Sequence, residues 1–317
     1  MVLLLRDPDV DQLLDMESML ETIEEMLRRY GSGGGFNLAR RRVMAPTGEL
    51  AVMAGGLFHQ GVFGVKTYTL VQGGYSFHVS LYDASTGQLL ALVQANRLGQ
   101  LRTGATTGVA VKHLARTDAS TVGIIGSGLQ APTQLEAVSL VRNVNMVKAY
   151  SPNPAHRREF TRAMSENLGM EVKAVDTNQE AVEDSDIIAC IASNIEPVVK
   201  GPWLSPGVLV VGAGPTTWRA RELDQEAMGK VSRIFVDSLE QAAYEAGDLA
   251  TAVDQGLLQW DRVVELRQVV AGNIAGRESV EEIFFVKLMG TGIADVAAAK
   301  LAYDRARAQG VGTELEF

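Results

Sequence analysis

STVGIIGSGLQAPTQLEAV, residues 120–138, decides how this chain is read. It opens with a short β-branched run, Thr121-Val122-Gly123-Ile124-Ile125. It then turns through Gly126-Ser127-Gly128-Leu129-Gln130-Ala131 and continues at helical spacing. A buried strand turning tightly into a helix is the first βα unit of a dinucleotide-binding fold. Gly126 permits the turn, Gly128 lets a pyrophosphate approach the backbone, and small Ala131 lets helix and strand pack closely. The N–H groups of the turn and helix start supply partial positive charge for the phosphates. A glycine turn without a ligand is the alternative, and the strand-before, helix-after context argues against it.

Outward from this stretch, the C-terminal side alternates strands and helices. Strands are predicted at 146–150, 172–175, 186–192, 208–212 and 233–237, with helices at 154–168 and 179–184. That alternation predicts a doubly wound parallel sheet. The N-terminal side reads differently. Apolar residues from Leu13 to Leu27 recur at helical spacing after the helix-start signal Asp7-Pro8-Asp9. The Gly31-Ser-Gly-Gly-Gly35 run is a connector, because it lacks the Lys-Ser/Thr of a phosphate loop. Short β-prone runs follow at 42–45, 50–53, 63–69, 77–82 and 89–94. Pro46-Thr-Gly48, Gly55-Gly56, Gly73-Gly74 and Ser85-Thr-Gly87 divide them, which predicts an antiparallel meander. Residues 103–115 form a small-residue helix able to pack against a sheet or cofactor, with Thr103 at its start. A last Ala-rich helix, 294–308, is expected to return to the N-terminal domain. The fold class is therefore α/β, a doubly wound Rossmann domain (116–293) plus an N-terminal α/β domain (1–115 with 294–317).

Composition narrows the function. The 317 residues are 46% hydrophobic and 21% charged, with a formal net charge of −9. An acidic chain of this kind is not expected to bind nucleic acid or a membrane surface. No run reaches transmembrane length, residues 1–5 are too short for a signal core, and the cytoplasm is the expected location. Cys190, the one cysteine, lies in an apolar strand-like run and reads as a buried thiol. His59, His78, His113 and His156 show no metal-ligand spacing, so no metal is expected.

Five motifs together carry a resemblance. They are Phe63-Gly-Val-Lys66, the run Ala95-Asn-Arg-Leu-Gly-Gln-Leu-Arg102-Thr-Gly-Ala105, the Gly126–Ala131 turn, Glu245-Ala-Gly-Asp248-Leu, and Lys287, Gly290 and Asp295. The chain resembles the ornithine cyclodeaminase/mu-crystallin family over nearly its whole length. That resemblance implies a homodimer paired through the N-terminal domain, a central domain holding NAD(P), and a substrate in the cleft between domains. It also implies that Arg41, Lys66 and Arg102 hold a substrate carboxylate.

The residues support that chemistry independently. Lys66 sits in FGVKTYTL, where a charge must face a cleft or be costly. An Arg fork and a compact Lys charge are the groups that hold carboxylates. Solvated strand-end or cap charges are the alternative for each. Within Arg40-Arg41-Arg42 the inward register is open. Lys66 is also a candidate proton donor, alongside Arg102 in the catalytic set.

Two departures bear on the reaction. Cyclodeaminases of the family use an Asp where Gly214 stands, and a Glu where Ala51 stands. Glycine cannot act as a base, so ornithine cyclisation is disfavoured, while hydride transfer is unharmed. Glu222 and Asp224 are possible replacement bases, although Arg221-Glu-Leu-Asp224 reads as a helix cap and first turn. The expected activity is NAD(P)-dependent reduction of a small imino or keto acid, or the reverse oxidation of an amino acid. An ammonia lyase with recycled NAD and a non-enzymatic cofactor-binding protein are the alternatives.

Cofactor choice rests on the end of the second parallel strand. Ser151 stands where an NAD site usually has an acidic residue. Asn153 follows, and Arg157 or Arg158 could reach a 2′-phosphate, which favours NADP over NAD. Asp237 and Gly292 are the remaining family-like cofactor contacts.

Overall fold

The computed structural model describes residues 1–72 and 74–316, so Gly73 of the Gly73-Gly74 turn lies outside the described residues. The chain divides into two compact units, 1–105 with 290–317, and 106–289.

The first unit begins with β1 (Val2–Leu5), α1 (Asp7–Leu13) and α2 (Met16–Gly31). The helical periodicity from Asp7 to Leu27 thus belongs to two helices. Asp15 separates them, because its carboxylate caps α2 by accepting from the Ser18 N–H at 2.8 Å. The meander follows: β2 (Gly35–Ala45), β3 (Gly48–Leu57), β4 (Val62–Val71), β5 (Gly74–Asp83) and β6 (Leu89–Gln94), all paired antiparallel in sequence. Their pairing extends most strands beyond the β-prone cores. Apolar Val2–Leu5 adds β1 alongside β6 in parallel.

Next comes α3 (Asn96–Leu114), which starts a full two turns before the small-residue run, so Arg102 lies inside the helix rather than ahead of it. The division between units falls within α3.

The second unit contains β7 (Thr121–Ile125), α4 (Ala131–Val141), β8 (Met146–Tyr150), α5 (Pro154–Leu168), β9 (Val172–Ala174), α6 (Asn178–Val182), β10 (Ile187–Cys190) and β11 (Leu209–Gly212). It continues with α7 (Gln225–Lys230), β12 (Arg233–Val236), α8 (Leu239–Glu245), α9 (Gly247–Asp254), β13 (Val263–Glu265), α10 (Leu266–Val270) and β14 (Phe284–Lys287). The strands form one parallel sheet in the order β13-β12-β14-β11-β10-β7-β8-β9. β10, β11 and β14 are buried along their whole length, as a parallel sheet covered on both faces requires. Strand order reverses between β7 and β10, the switch point at which such sheets bind ligands beyond their strand ends. β14 inserts between β11 and β12, and the short elements of 239–270 give little periodic signal in sequence.

The chain returns to the first unit with α11 (Gly292–Gln309) and β15 (Thr313–Leu315), the latter pairing with β1. α11 packs on β2 to β5 through small buried residues, including Ala294, Ala297, Ala298 and Ala302. The approach is close. A Cβ on Gly55 of β3 would stand 2.4 Å from the Ile293 Cα, and one on Gly292 would stand 2.6 Å from the Ala54 carbonyl. This backbone contact fixes the first turn of α11, and with it Asp295, over the sheet.

Candidate active site

In the first unit, alternation along β4 turns Val62, Gly64 and Lys66 to the buried side of the sheet. Lys66 is only 3% exposed. Its Nζ donates to Asp295 Oδ1 at 2.8 Å, and Arg102 Nε donates to the same oxygen at 2.9 Å. Asp295 is fully buried. The Lys66 ammonium also lies 5.5 Å from the centre of the Phe77 ring. Arg40 of β2 is buried over the Tyr68 ring at 5.8 Å, and its charge reaches Lys66. Two buried cations thus share one carboxylate, and the charge of a third, Arg40, acts on Lys66. Such a gathering of buried Arg and Lys groups fits an anionic ligand.

The electrostatics follow from this packing. Burial pushes Lys66 down to about 8, with Arg102 and Arg40 acting in the same direction and Asp295 opposing them. Burial alone would raise the Asp295 carboxyl, but the charges and hydrogen bonds of Arg102 and Lys66 hold it below the ordinary carboxylate value.

The inward arginine is Arg40, not Arg41. A register shift between Leu38 and Arg41 places Ala39 and Arg40 both on the buried side, and Arg41 is exposed, donating to the Arg40 carbonyl. Arg42 pairs with Glu49. A bulge of this kind breaks the two-residue alternation and leaves no mark in composition. Asp295 was overlooked as a site residue, although one carboxylate among IADVAAA is a readable signal. Gly290 adds a backbone constraint: its φ is +77°, and a Cβ there would stand 2.9 Å from Arg102 Nη1.

In the second unit, Gly126 has φ +111°, a conformation that favours glycine. Gly128 faces open space, with nothing within 4 Å of an added Cβ. Ala131 is buried at the start of α4, Leu129 is exposed, and Ser127 and Gln130 complete the turn. An open strand-to-helix turn at a switch point fits a dinucleotide pyrophosphate. Ser151 is buried just after β8. Asn153 caps α5 by accepting from Ala155 N–H at 2.9 Å. Arg157 donates to the Ser151 carbonyl at 3.1 Å and to Asp176 at 2.6 Å, so its guanidinium is engaged within the protein, while Arg158 is exposed. Asp237 accepts from Met289 N–H at 3.0 Å. Two other proposed contacts have local structural partners. Thr103 donates back to the Gly99 carbonyl at 2.6 Å, and Gly292 serves the close packing on Ala54.

A second buried charge cluster lies at the carboxyl ends of β11 and β14. Lys287 Nζ donates to Glu222 Oε2 at 2.5 Å and to the Pro215 carbonyl at 3.2 Å, with Asp248 3.7 Å away. Glu222 accepts from Gly214 N–H at 2.9 Å. Burial raises Glu222 to about 7, with Lys287 opposing and Asp248 adding to the rise. Lys287 is held above its ordinary value because the two carboxylates outweigh its burial. Asp224 caps α7. Glu222 is no cap: it is fully buried against Lys287, which ties down the loop after β11. Cys190 is buried, and burial pushes its thiol well up. Among the described residues there is no cluster of metal-binding side chains, and no helix is long and apolar enough to cross a membrane.

The family model described as "Ornithine cyclodeaminase/mu-crystallin family" matches residues 2–310. A Delta(1)-pyrroline-2-carboxylate reductase of Bacillus cereus is 37% identical over 240 residues, covering 75% of this chain and 74% of that protein. An alanine dehydrogenase of Archaeoglobus fulgidus is 32% identical over 325 residues, covering 99% of this chain and 98% of that protein. Among solved structures, the Thermococcus litoralis Delta(1)-pyrroline-2-carboxylate reductase in complex with NADH and L-proline superposes with a TM-score of 0.95. It has 36% identity and covers 99% of this chain and 100% of that one.

Proposed function

The chain belongs to the ornithine cyclodeaminase/mu-crystallin family, and from that premise we propose that it is a nicotinamide-dependent oxidoreductase that reduces small imino or keto acids. The observation that carries this reading is the gathering of buried Lys66 and Arg102 on Asp295, with buried Arg40 close enough for its charge to act on Lys66. A substrate carboxylate is the anion that such a cationic cluster would attract. The relatives named for pyrroline-2-carboxylate reduction and alanine dehydrogenation favour the same substrate class, since both names describe chemistry at the carbon beside a carboxylate.

In this reading Arg102 and Arg40 hold the carboxylate, and Lys66 holds a proton on Nζ for the substrate nitrogen or keto oxygen. A nicotinamide, when bound, supplies the hydride for the adjacent carbon. One hydride and one proton convert C=N to CH–NH, so the reduction balances. With its value near 8, Lys66 is mostly protonated at neutral pH, as a donor must be. Gly214 offers no side chain to act as the base a deamination needs, and Glu222 beside it is occupied by Lys287. Net reduction is therefore preferred to cyclodeamination.

The cofactor is held at Gly126, Gly128 and the start of α4, and we assign NADP(H) as the preferred form. Ser151 in place of a carboxylate supports this, and exposed Arg158 is the available cation, since Arg157 is committed to Asp176. The test is the ratio of KM values. NADPH should bind better than NADH, and Arg158→Ala should narrow the gap; a clear preference for NADH contradicts the assignment. Self-association into a homodimer belongs to the same proposal. Leu38, Val43 and Leu50 are exposed apolar residues on one face of neighbouring strands β2 and β3, of the kind that marks interfaces. Sedimentation should report twice the chain mass.

The activity itself is tested by following reduced-nicotinamide absorbance with a panel of cyclic imino acids and of keto acids with amines. Consumption matched by amine product supports the reading. Ammonia release from ornithine or lysine without net cofactor turnover contradicts it.

A further inference from the structure

The carboxylate-binding cations do not hold themselves in place. Lys66 comes from a strand, Arg102 from a helix interior, and both are buried like charges. Each donates to one atom, Asp295 Oδ1, so they stand within two hydrogen-bond lengths of each other. Two buried cations so close repel, and burial itself favours loss of the lysine proton. The other oxygen, Oδ2, is buried with no hydrogen-bond partner among the described residues. Asp295 therefore offers its hydrogen bonds to the two cations alone. The backbone contacts of Gly55 and Gly292 fix the turn of α11 that carries it.

We infer that Asp295 is the positioning residue of this site: through one oxygen it fixes Lys66 and Arg102 for the substrate and keeps the proton on Lys66. The role as stated rests on the proposed reduction, while its electrostatic half can be read without any substrate. The charged groups facing Lys66 are Asp295 from α11, Arg102 from α3 and Arg40 from β2, and Phe77 of β5 contributes only its ring. Of these, Asp295 alone favours the protonated amine. A substitution that removes its charge leaves burial and two cations, all acting against the proton. The sign is fixed: Lys66 must then titrate at lower pH.

The experiment is a pH titration of the lysine ε-carbon resonances in full-length protein labelled with [13Cε]lysine, Lys66 being assigned by its loss in Lys66→Arg. In wild type the Lys66 resonance should titrate well below an ordinary lysine. In Asp295→Asn, an isosteric change, the midpoint should fall by about one pH unit or more. A wild-type midpoint at the ordinary lysine value, or an unmoved midpoint in Asp295→Asn, overturns the inference. The wild-type arm decides even if the variant fails to fold. The kinetic arm uses the imino acid: kcat of Asp295→Asn should be depressed roughly fivefold more at pH 8 than at pH 6, matching a one-unit shift from about 8, with KM changed far less. An equal loss at both pH values would indicate a merely structural role and overturn it. If wild type turns over no imino or keto acid, the functional reading fails while the resonance shift still judges the electrostatic role of Asp295.

Discussion

Lys66 carries most of the chemistry assigned to single residues. Its burial, and the cations beside it, put its titration near 8. A proton donor works only below its own pKa. The rate of imine reduction should therefore be flat at neutral pH and fall as pH rises through about 8. The reverse oxidation, which needs the neutral amine, should rise through the same range. Rate profiles of both directions check this, and a reduction rate that climbs above pH 8 would exclude Lys66 as donor. Gly290 is constrained twice, by its positive φ and by the Arg102 guanidinium. Gly290→Ala should therefore raise KM for the carboxylate substrate, with a stability cost of about 1 kcal/mol or more visible in thermal unfolding. Lys66 is legible from sequence because its charge stands out in an apolar run, whereas Arg102 is singled out by the motif that carries the family resemblance. Arg40 was not distinguishable from Arg41, because a bulge between Leu38 and Arg41 sets which one turns inward.

Among the elements, the strands of the parallel sheet were read within a residue or two wherever apolar runs alternate with helices. β14 was not read as a strand at all, since its pairing between β11 and β12 is a long-range fact. Its last residue, Lys287, matters for the same reason. Lys287 is the counter-charge of two buried carboxylates, Glu222 and Asp248. Lys287→Met should destabilise the second unit by about 3–5 kcal/mol, because it leaves two buried carboxylates without the counter-charge of Lys287. A Tm within a degree or two of wild type would show that the cluster adds little. α11 makes the complementary case. Its Ala-rich sequence predicted a helix packed on the first domain, and its observed partners are β2 to β5. What composition could not convey is that glycines at 55 and 292 bring its first turn onto β3 and so aim Asp295 at Lys66.

At the scale of the molecule, the Lys66–Arg102–Asp295 cluster lies in one unit and the glycine turn at 126–131, proposed to hold the nucleotide, lies in the other. Lys66→Ala should abolish turnover while leaving cofactor affinity nearly unchanged, as read by fluorescence titration of the reduced nicotinamide. Equal loss of both would mean that the division of labour is wrong. The central claim is recognition of an imino acid through its carboxylate. It is tested most directly by comparing kcat/KM for Δ1-pyrroline-2-carboxylate with that for Δ1-pyrroline, the same ring without the carboxylate. In the second case the ring offers no carboxylate to the buried cations, so kcat/KM should fall by roughly 10⁴-fold. Comparable turnover of the two rings would contradict the account.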